Sequence, residues 1–374
     1  MIVPRAEVLE TELAVHGGRR GLHEATTAVR YDFSVCLNAF GPADVVRRAV
    51  ERAAIDEYPD PECRAPRESA SARWFTPVSD IAFGAGAAEL IHAVCQAYLS
   101  PGEAAIIVSP SFGEYERAVR LRGARAIPAW CSPDGTEQDI GSMCAVVEQA
   151  GPRIVTLCAP TTPAGGAVSQ HCIRRLADTC ERAGALLVVD QAYDAFAEAP
   201  IGMPALPRHP AVLHLRSLTK EHALAGLRVA FAVGPAHVID ALNRVRVPWS
   251  ASSVAQAAGV AALSDEAAQH VERTVNVLRR EAARLQQSCA AFGFVPRPST
   301  THYFVVDVGN GAAVTRILLD RAGIAVRDCT SFGLPECIRV AARTVPENDA
   351  LLLALGMKEL DGFRTPAMSS GTSQ

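Results

Sequence analysis

The sequence predicts an α/β fold: a large domain with a mostly parallel sheet between helices, joined to a small α+β domain. Two observations predict it. Short, β-branched apolar runs alternate with amphipathic stretches through the middle of the chain, and near residue 255 that alternation gives way to a long helical run and a different arrangement of strands. Strand, helix, strand repeated in this way points to parallel neighbours joined by helices that cover the sheet.

In the large domain the strand candidates are AAIIVSP (104–110), RIVTLCAP (153–160), ALLVVDQAY (185–193), AVLHLRS (211–217) and VAFAVG (229–234), each bounded by Pro, Gly or polar residues. The helix candidates between them are AAELIHAVCQAYL (87–99), GEYERAVRLRG (113–123) and SQHCIRRLADTCERAG (169–184), whose apolar residues recur at helical spacing. A single helical segment is expected over roughly 254–292. It leads into THYFVVDV (301–308), the helix AAVTRILLDRAG (312–323), IAVRDC (324–329) and CIRVAAR (337–343). The expected organisation is an N-terminal segment (1–45) joining the small domain, a large domain (46–253), a small C-terminal domain (254–361) and a disordered tail (362–374).

Composition narrows the function classes. The chain has 374 residues, 49% hydrophobic and 20% charged, as in an ordinary globular enzyme. A formal net charge of −4 gives no basic footprint for nucleic acid. No apolar run reaches the length of a membrane span and the N-terminus does not read as a signal peptide, so a cytoplasmic enzyme with no membrane partner is expected. The 11 cysteines are scattered without C-x-x-C pairs, which points to reduced thiols and no metal site.

The sharpest signal is a lysine. Of 36 basic residues only two, Lys220 and Lys358, are lysines. A lysine can lose its proton and attack a carbonyl, whereas a guanidinium stays protonated. Lys220 lies in RSLTKEHALAGLR (216–228), where Ser217 offers a hydroxyl and Arg228 a charged fork to an anion. Other segments hold the groups that a carbonyl cofactor with a phosphate would need. In AFGAGAAEL (82–90), glycines open a helix after a strand, which could cradle a phosphate. Asp190 ends a buried strand and could face a ring nitrogen or serve as a helix cap; Tyr193 follows it, and Phe112 after another strand could stack on a ring or pack in the core. Arg339, inside an apolar strand, needs an anion, either a substrate carboxylate or an internal acid.

The order and spacing of these features resemble the fold-type-I pyridoxal-phosphate enzymes of the class I/II aminotransferase superfamily, with threonine-phosphate decarboxylases nearest and histidinol-phosphate aminotransferases next. The resemblance rests on HGG (16–18), FSVCLNAFG (33–41), YPD (58–60), FGAGAAELI (83–91), SPSFGEYERA, VVDQAY, LRSLTKEHALAGLR, VPWSASSVAQAAG and IRVAAR. It implies a fold-type-I transferase fold, pyridoxal 5'-phosphate as cofactor and a homodimer with shared sites. Lys220 would be the Schiff-base lysine, Asp190 the partner of the ring nitrogen, Tyr193 that of the phenolic oxygen, and Phe112 the stacking ring. Ser217, Arg228 and the backbone amides of Gly86 and Ala87 would hold the phosphate, with Tyr58 reaching it from the neighbouring subunit. Arg339 would clamp a substrate carboxylate with Asn38 close by, while His16 and Arg19 would sit near the distal end of a small amino-acid substrate.

Three departures stand out. Thr162 replaces an asparagine of the family pattern N-N-P-T-G that would bond the phenolic oxygen of the cofactor, a task its hydroxyl would take over; Gln191 replaces an acid after Asp190, and Arg19 takes the fourth place of H-G-G-N. The leading expectation is decarboxylation at the α-carbon of a small polar amino acid. The alternatives are amino transfer or a redirected elimination, oxidation or cyclisation. A non-catalytic ligand-sensing relative would be expected to lose Lys220, which this chain keeps.

Overall fold

A computed structural model describes residues 2–18, 28–131, 137–204, 206 and 208–364. Its strands begin with β1 (Tyr31–Asp32), β2 (Ile81–Gly84), β3 (Ala104–Ser109), β4 (Arg125–Trp130), β5 (Ile154–Cys158), β6 (Leu186–Asp190), β7 (Val212–Ser217) and β8 (Ala230–Val233). They continue with β9 (Val295–Pro296), β10 (Tyr303–Asp307), β11 (Ile324–Ala325), β12 (Arg327–Asp328) and β13 (Cys337–Ala341). The helices used below are α1 (Asp44–Glu51), α2 (Ala87–Tyr98), α3 (Glu114–Arg120), α4 (Ser253–Ala262) and α5 (Asp265–Ala291).

Seven strands form the main sheet in the order β2-β8-β7-β6-β5-β3-β4. β7, β6, β5, β3 and β4 run parallel, and β8 is antiparallel to both its neighbours. Separate apolar clusters cover its two faces, one around Leu90, Val94 and Leu215, the other around Ile106, Leu176 and Val189. Burial on both faces explains why the central strands read as unbroken apolar runs, since parallel sheets are covered by helices on each side. The parallel strands end at one edge, so Ser109, Cys158, Asp190 and Ser217 stand in line there and the loops after them share one crevice.

A four-stranded antiparallel sheet, β12-β13-β10-β9, forms the second unit. The N-terminal segment joins it through β1, which pairs in parallel with β11, and through Phe33, which sits in its core beside Phe304 and Val340. The helical segment read over 254–292 is two helices. Ser264 caps the second, accepting from the Ala267 amide, and the chain turns between α4 and α5. α4 packs against Phe83 and Phe231 of the large sheet, and α1 packs on α4. Strand β4 went unread because Pro128 interrupts it and most of its residues stay partly exposed, as befits an edge strand. The first two residues of the expected tail, Gly362 and Phe363, close a short 3₁₀ helix (Lys358–Phe363), and 365–374 lie outside the described residues. No helix among the described residues is long and apolar enough to cross a membrane.

Candidate active site

Lys220 lies three residues beyond β7, in a loop held from below. Arg216 ends its side chain on the carbonyl of Gln191 (3.1 Å) and on the carboxylates of Asp194 and Glu221 (3.4 and 2.9 Å). The carbonyl of Lys220 accepts from the amide of Asn38 at 2.9 Å. The lysine is buried, and burial, aided by the charges of Arg339 and Arg228, lowers the pKa of its amine. A larger share of neutral amine follows, the form that attacks a carbonyl. Around it opens a cavity of about 690 Å³ lined by the loops at the strand ends.

Asp190 faces Lys220 from the end of β6. One carboxylate oxygen accepts from Tyr115 (2.6 Å) and the other from the Ala192 amide (2.9 Å). Burial pushes its pKa up against the pull of these donors, so a cation brought to it from the cavity would be well placed. Tyr193 lines the same wall, its ring 5.8 Å from the lysine nitrogen and set edge-on against Tyr303. Phe112, Ser217, Thr162 and Ala87 also line the cavity. The Ser217 hydroxyl is paired with that of Thr219 at 2.6 Å.

A phosphate-sized anion fits at the start of α2. Gly86 has φ +88°, and a side-chain carbon there would lie 2.6 Å from the Arg228 guanidinium, so the glycine lets the arginine reach the helix N-terminus. Among the described residues Arg228 meets no carboxylate, its nearest hydrogen bond being a long one to the Ala225 carbonyl. The Gly86 amide is not available as expected: it donates to the Gly84 carbonyl at 2.9 Å. The first turn of α2, Ala87 and Ala88, faces the cavity in its place.

Arg339 on β13 stands across the ladder from Arg327 on β12, and both line the cavity. Arg339 reaches the Ser34 carbonyl (3.0 Å) and the Thr162 hydroxyl (3.4 Å), and its Nε has no partner among the described residues. The Thr162 hydroxyl therefore meets Arg339, where the family pattern suggested a ring oxygen. Arg327 donates to the Val15 carbonyl (2.9 Å) and the Ser331 hydroxyl (2.7 Å). The ring of Phe332 lies within 6 Å of both guanidiniums.

Asn38 is placed differently from its expectation. Its amide nitrogen donates to the Glu221 carbonyl (2.9 Å) and Thr274 hydroxyl (2.8 Å), and its oxygen accepts from the Phe40 amide. With every polar atom spent, it braces the Lys220 loop from behind and does not line the cavity. Tyr58 is 83% exposed, pairs with the Trp249 ring at 5.0 Å and stands outside its own cavity. His16 stands at the rim against Phe112 and Glu114. Arg19 lies outside the described residues. Sequence reasoning missed Tyr115, Glu114, His92, Cys36 and Arg327, all at or beside the cavity. Arg327 alone carried a readable signal, since it is an arginine in an apolar strand like Arg339.

Comparison with known proteins agrees with this geometry. Residues 32–355 match the family "Aminotransferase class I and II". A histidinol-phosphate aminotransferase of Symbiobacterium thermophilum is 32% identical over 326 residues, 85% of this chain and 89% of that protein. One of Haloferax volcanii is 34% identical over 311 residues, covering 82% and 83%. The crystal structure of histidinol-phosphate aminotransferase from Sinorhizobium meliloti, in complex with pyridoxal-5'-phosphate, superposes with a TM-score of 0.86 over 96% of this chain and 97% of that one, at 23% identity. Aspartate aminotransferase of Thermus thermophilus shares the fold with a TM-score of 0.83 at 20% identity, over 97% of this chain and 100% of that one. The fold is that of the fold-type-I transferases, as expected. The chain belongs to the aminotransferase class I and II family and is a pyridoxal-phosphate-dependent enzyme.

Proposed function

We propose that the protein is an aminotransferase that takes the amino group of a small primary amine carrying an anionic group. The observation that carries this reading is the grouping of one buried lysine with two guanidiniums, Arg327 and Arg339, neither of which meets a carboxylate among the described residues. Two cations held in one wall at a desolvation cost favour an anionic ligand there. Decarboxylation, which led in the sequence reading, gives way because the named relatives carry aminotransferase names.

When bound, pyridoxal phosphate supplies an electron sink for the bonds at the amine-bearing carbon. The chain's own residues then have distinct tasks. Ala87, Ala88, Ser217 and Arg228 hold the phosphate, and Phe112 packs on the ring. Asp190, oriented by Tyr115, keeps a negative charge at the ring nitrogen. Tyr193 and Lys220 stand on the substrate side, where Lys220 Nζ takes up and returns the proton of the amine-bearing carbon. Arg339 fixes the anion and so decides which bond of that carbon faces the lysine. A second copy of the chain would cover the exposed pair Tyr58 and Trp249 and bring Tyr58 to the partner's phosphate.

The test is amino transfer by the loaded enzyme from histidinol phosphate to 2-oxoglutarate, followed as glutamate, in parallel with label release from carboxyl-labelled O-phospho-L-threonine. Glutamate that vanishes in Lys220→Ala supports the reading. Released CO2 without glutamate would return the assignment to decarboxylation, and silence across a panel of anionic amines would remove amino transfer.

A further inference from the structure

Glu114 opens α3 and is buried in the cavity wall, 8% exposed. His16 Nε2 lies 3.0 Å from one of its oxygens and His92 Nε2 3.0 Å from the other, while Arg117 donates to it at 3.2 Å. Burial works against ionisation, yet the bonds from His92, His16 and Arg117 hold the carboxyl below the ordinary range. Arg117, one turn along the same helix, would neutralise Glu114 by itself. Two imidazoles from two other segments converge on it nonetheless, and both line the cavity.

An ionised carboxylate only accepts hydrogen bonds, so each Nε2 carries a proton towards Glu114, and in the neutral form of an imidazole bonded this way Nδ1 is the open acceptor; this tautomer is assigned from the network. Among the described residues nothing hydrogen-bonds the Nδ1 of either ring. His92 belongs to the row Ala88, His92, Gln96 that α2 turns to the cavity, beginning at the phosphate cradle. His16 lies 5.5 Å from the ring of Phe112. The cations of this limb are already matched, Arg117 by Glu114 and Arg246 by Glu89 at 2.7 Å. Among the described residues the arginines of this limb are thus paired, and the imidazole Nδ1 atoms are left open to a ligand.

We propose that Glu114 is a positioning residue that sets His16 and His92 as a hydrogen-bond-accepting wall, and that this wall selects substrates whose distal group is an uncharged hydrogen-bond donor. The proposal rests on the amino-transfer reading for the opposite, anion-holding end of the substrate.

The test uses the holoenzyme with three amino acids of similar length, L-glutamine, L-methionine and L-glutamate, which end in an amide donor, a thioether and a carboxylate. Binding is measured by calorimetry, and kcat and KM by amino transfer to a keto acid. Glutamine is expected to bind roughly three- to tenfold tighter than the other two, the net worth of one hydrogen bond to a partly exposed acceptor. His92→Phe should erase that ratio through KM with little change in kcat, and His92→Asn, which keeps an acceptor, should restore it. Glu114→Gln should weaken the ratio as well, while the thermal midpoint of each variant reports whether the fold is intact. A wild-type enzyme without the preference, or a preference that survives His92→Phe, overturns the proposal. Absence of amino transfer from every amine overturns the earlier reading and leaves the calorimetric ratio to decide this one.

Discussion

The phenol of Tyr115 on α3 donates to the carboxylate of Asp190 at the end of β6 over 2.6 Å, and both groups are buried. The two residues lie 75 positions apart in the chain. Without the phenol, Asp190 keeps only the Ala192 amide on its other oxygen, and the burial that already pushes its pKa up acts with less opposition. Tyr115→Phe is therefore expected to lower kcat about tenfold, the worth of one charge-assisted hydrogen bond to a group that must stay ionised. Steady-state kinetics test this, with the pH dependence of the cofactor's visible absorbance as a second measure. An unchanged kcat would mean that Asp190 is held ionised without Tyr115.

How much of this was legible follows from what fixes each side chain's direction. Asp190, Ser217 and Lys220 follow apolar strand runs at short offsets, and parallel strands all deliver their ends to one edge, so sequence order placed them together. Tyr115 and Glu114 stand on a helix, and only the rotation of α3 against the sheet decides that one turns to Asp190 and the other to the cavity. Asn38 was expected beside Arg339 at the substrate and stands instead behind the lysine loop, because a motif's place in the chain does not say which neighbour its amide meets. Arg327 escaped although its run IAVRDC (324–329) is apolar like that of Arg339, because β12 itself has only two residues and shows no period to set the arginine on a face.

Arg327 gives a second expectation. It stands across the ladder from Arg339, and among the described residues it binds the chain at Val15 and Ser331 through neutral acceptors. Arg327→Met, which keeps much of the stem's packing and removes the charge, should raise KM for an anionic amine by roughly 10- to 100-fold with kcat little changed, since a charge-assisted contact to a ligand anion is worth about 1.5–3 kcal/mol. An amine lacking the anion should lose little. Equal losses for both amines would mean that the arginine serves the fold alone.

A third concerns acid stability. His302 is fully buried, stacks on Phe196 at a centroid distance of 3.8 Å and has no hydrogen bond on either nitrogen among the described residues. Burial, with Arg339 and Lys220 adding repulsion, lowers its pKa from 6.5 to about 3. The unfolded chain therefore binds a proton that the folded chain refuses, and stability is lost as pH falls from about 6.5 toward 3. By pH 5 the loss amounts to about 2 kcal/mol for this group. Replacement by phenylalanine, which keeps the stack, should flatten the fall in denaturation midpoint between pH 7 and 5. His214, lowered to about 4 by burial, acts in the same sense and leaves a residual slope.

The last expectation separates cofactor holding from folding. At Gly86 a methyl group would lie 2.6 Å from an Arg228 terminal nitrogen and 3.0 Å from Cζ, at a φ of +88°. The obstructing atoms are the end of a flexible side chain, so Gly86→Ala displaces the guanidinium at a backbone cost on the order of 1 kcal/mol, which lowers the apoenzyme midpoint by only a few degrees. The displaced group is the one aimed at the phosphate cradle, so cofactor affinity should fall about tenfold, a far larger effect than the loss of stability suggests. The double variant Gly86→Ala with Arg228→Gln should bind the cofactor no more weakly than Arg228→Gln alone, because both changes remove the same contact. Additive losses would instead show that the glycine serves the phosphate through its own backbone and independently of the arginine.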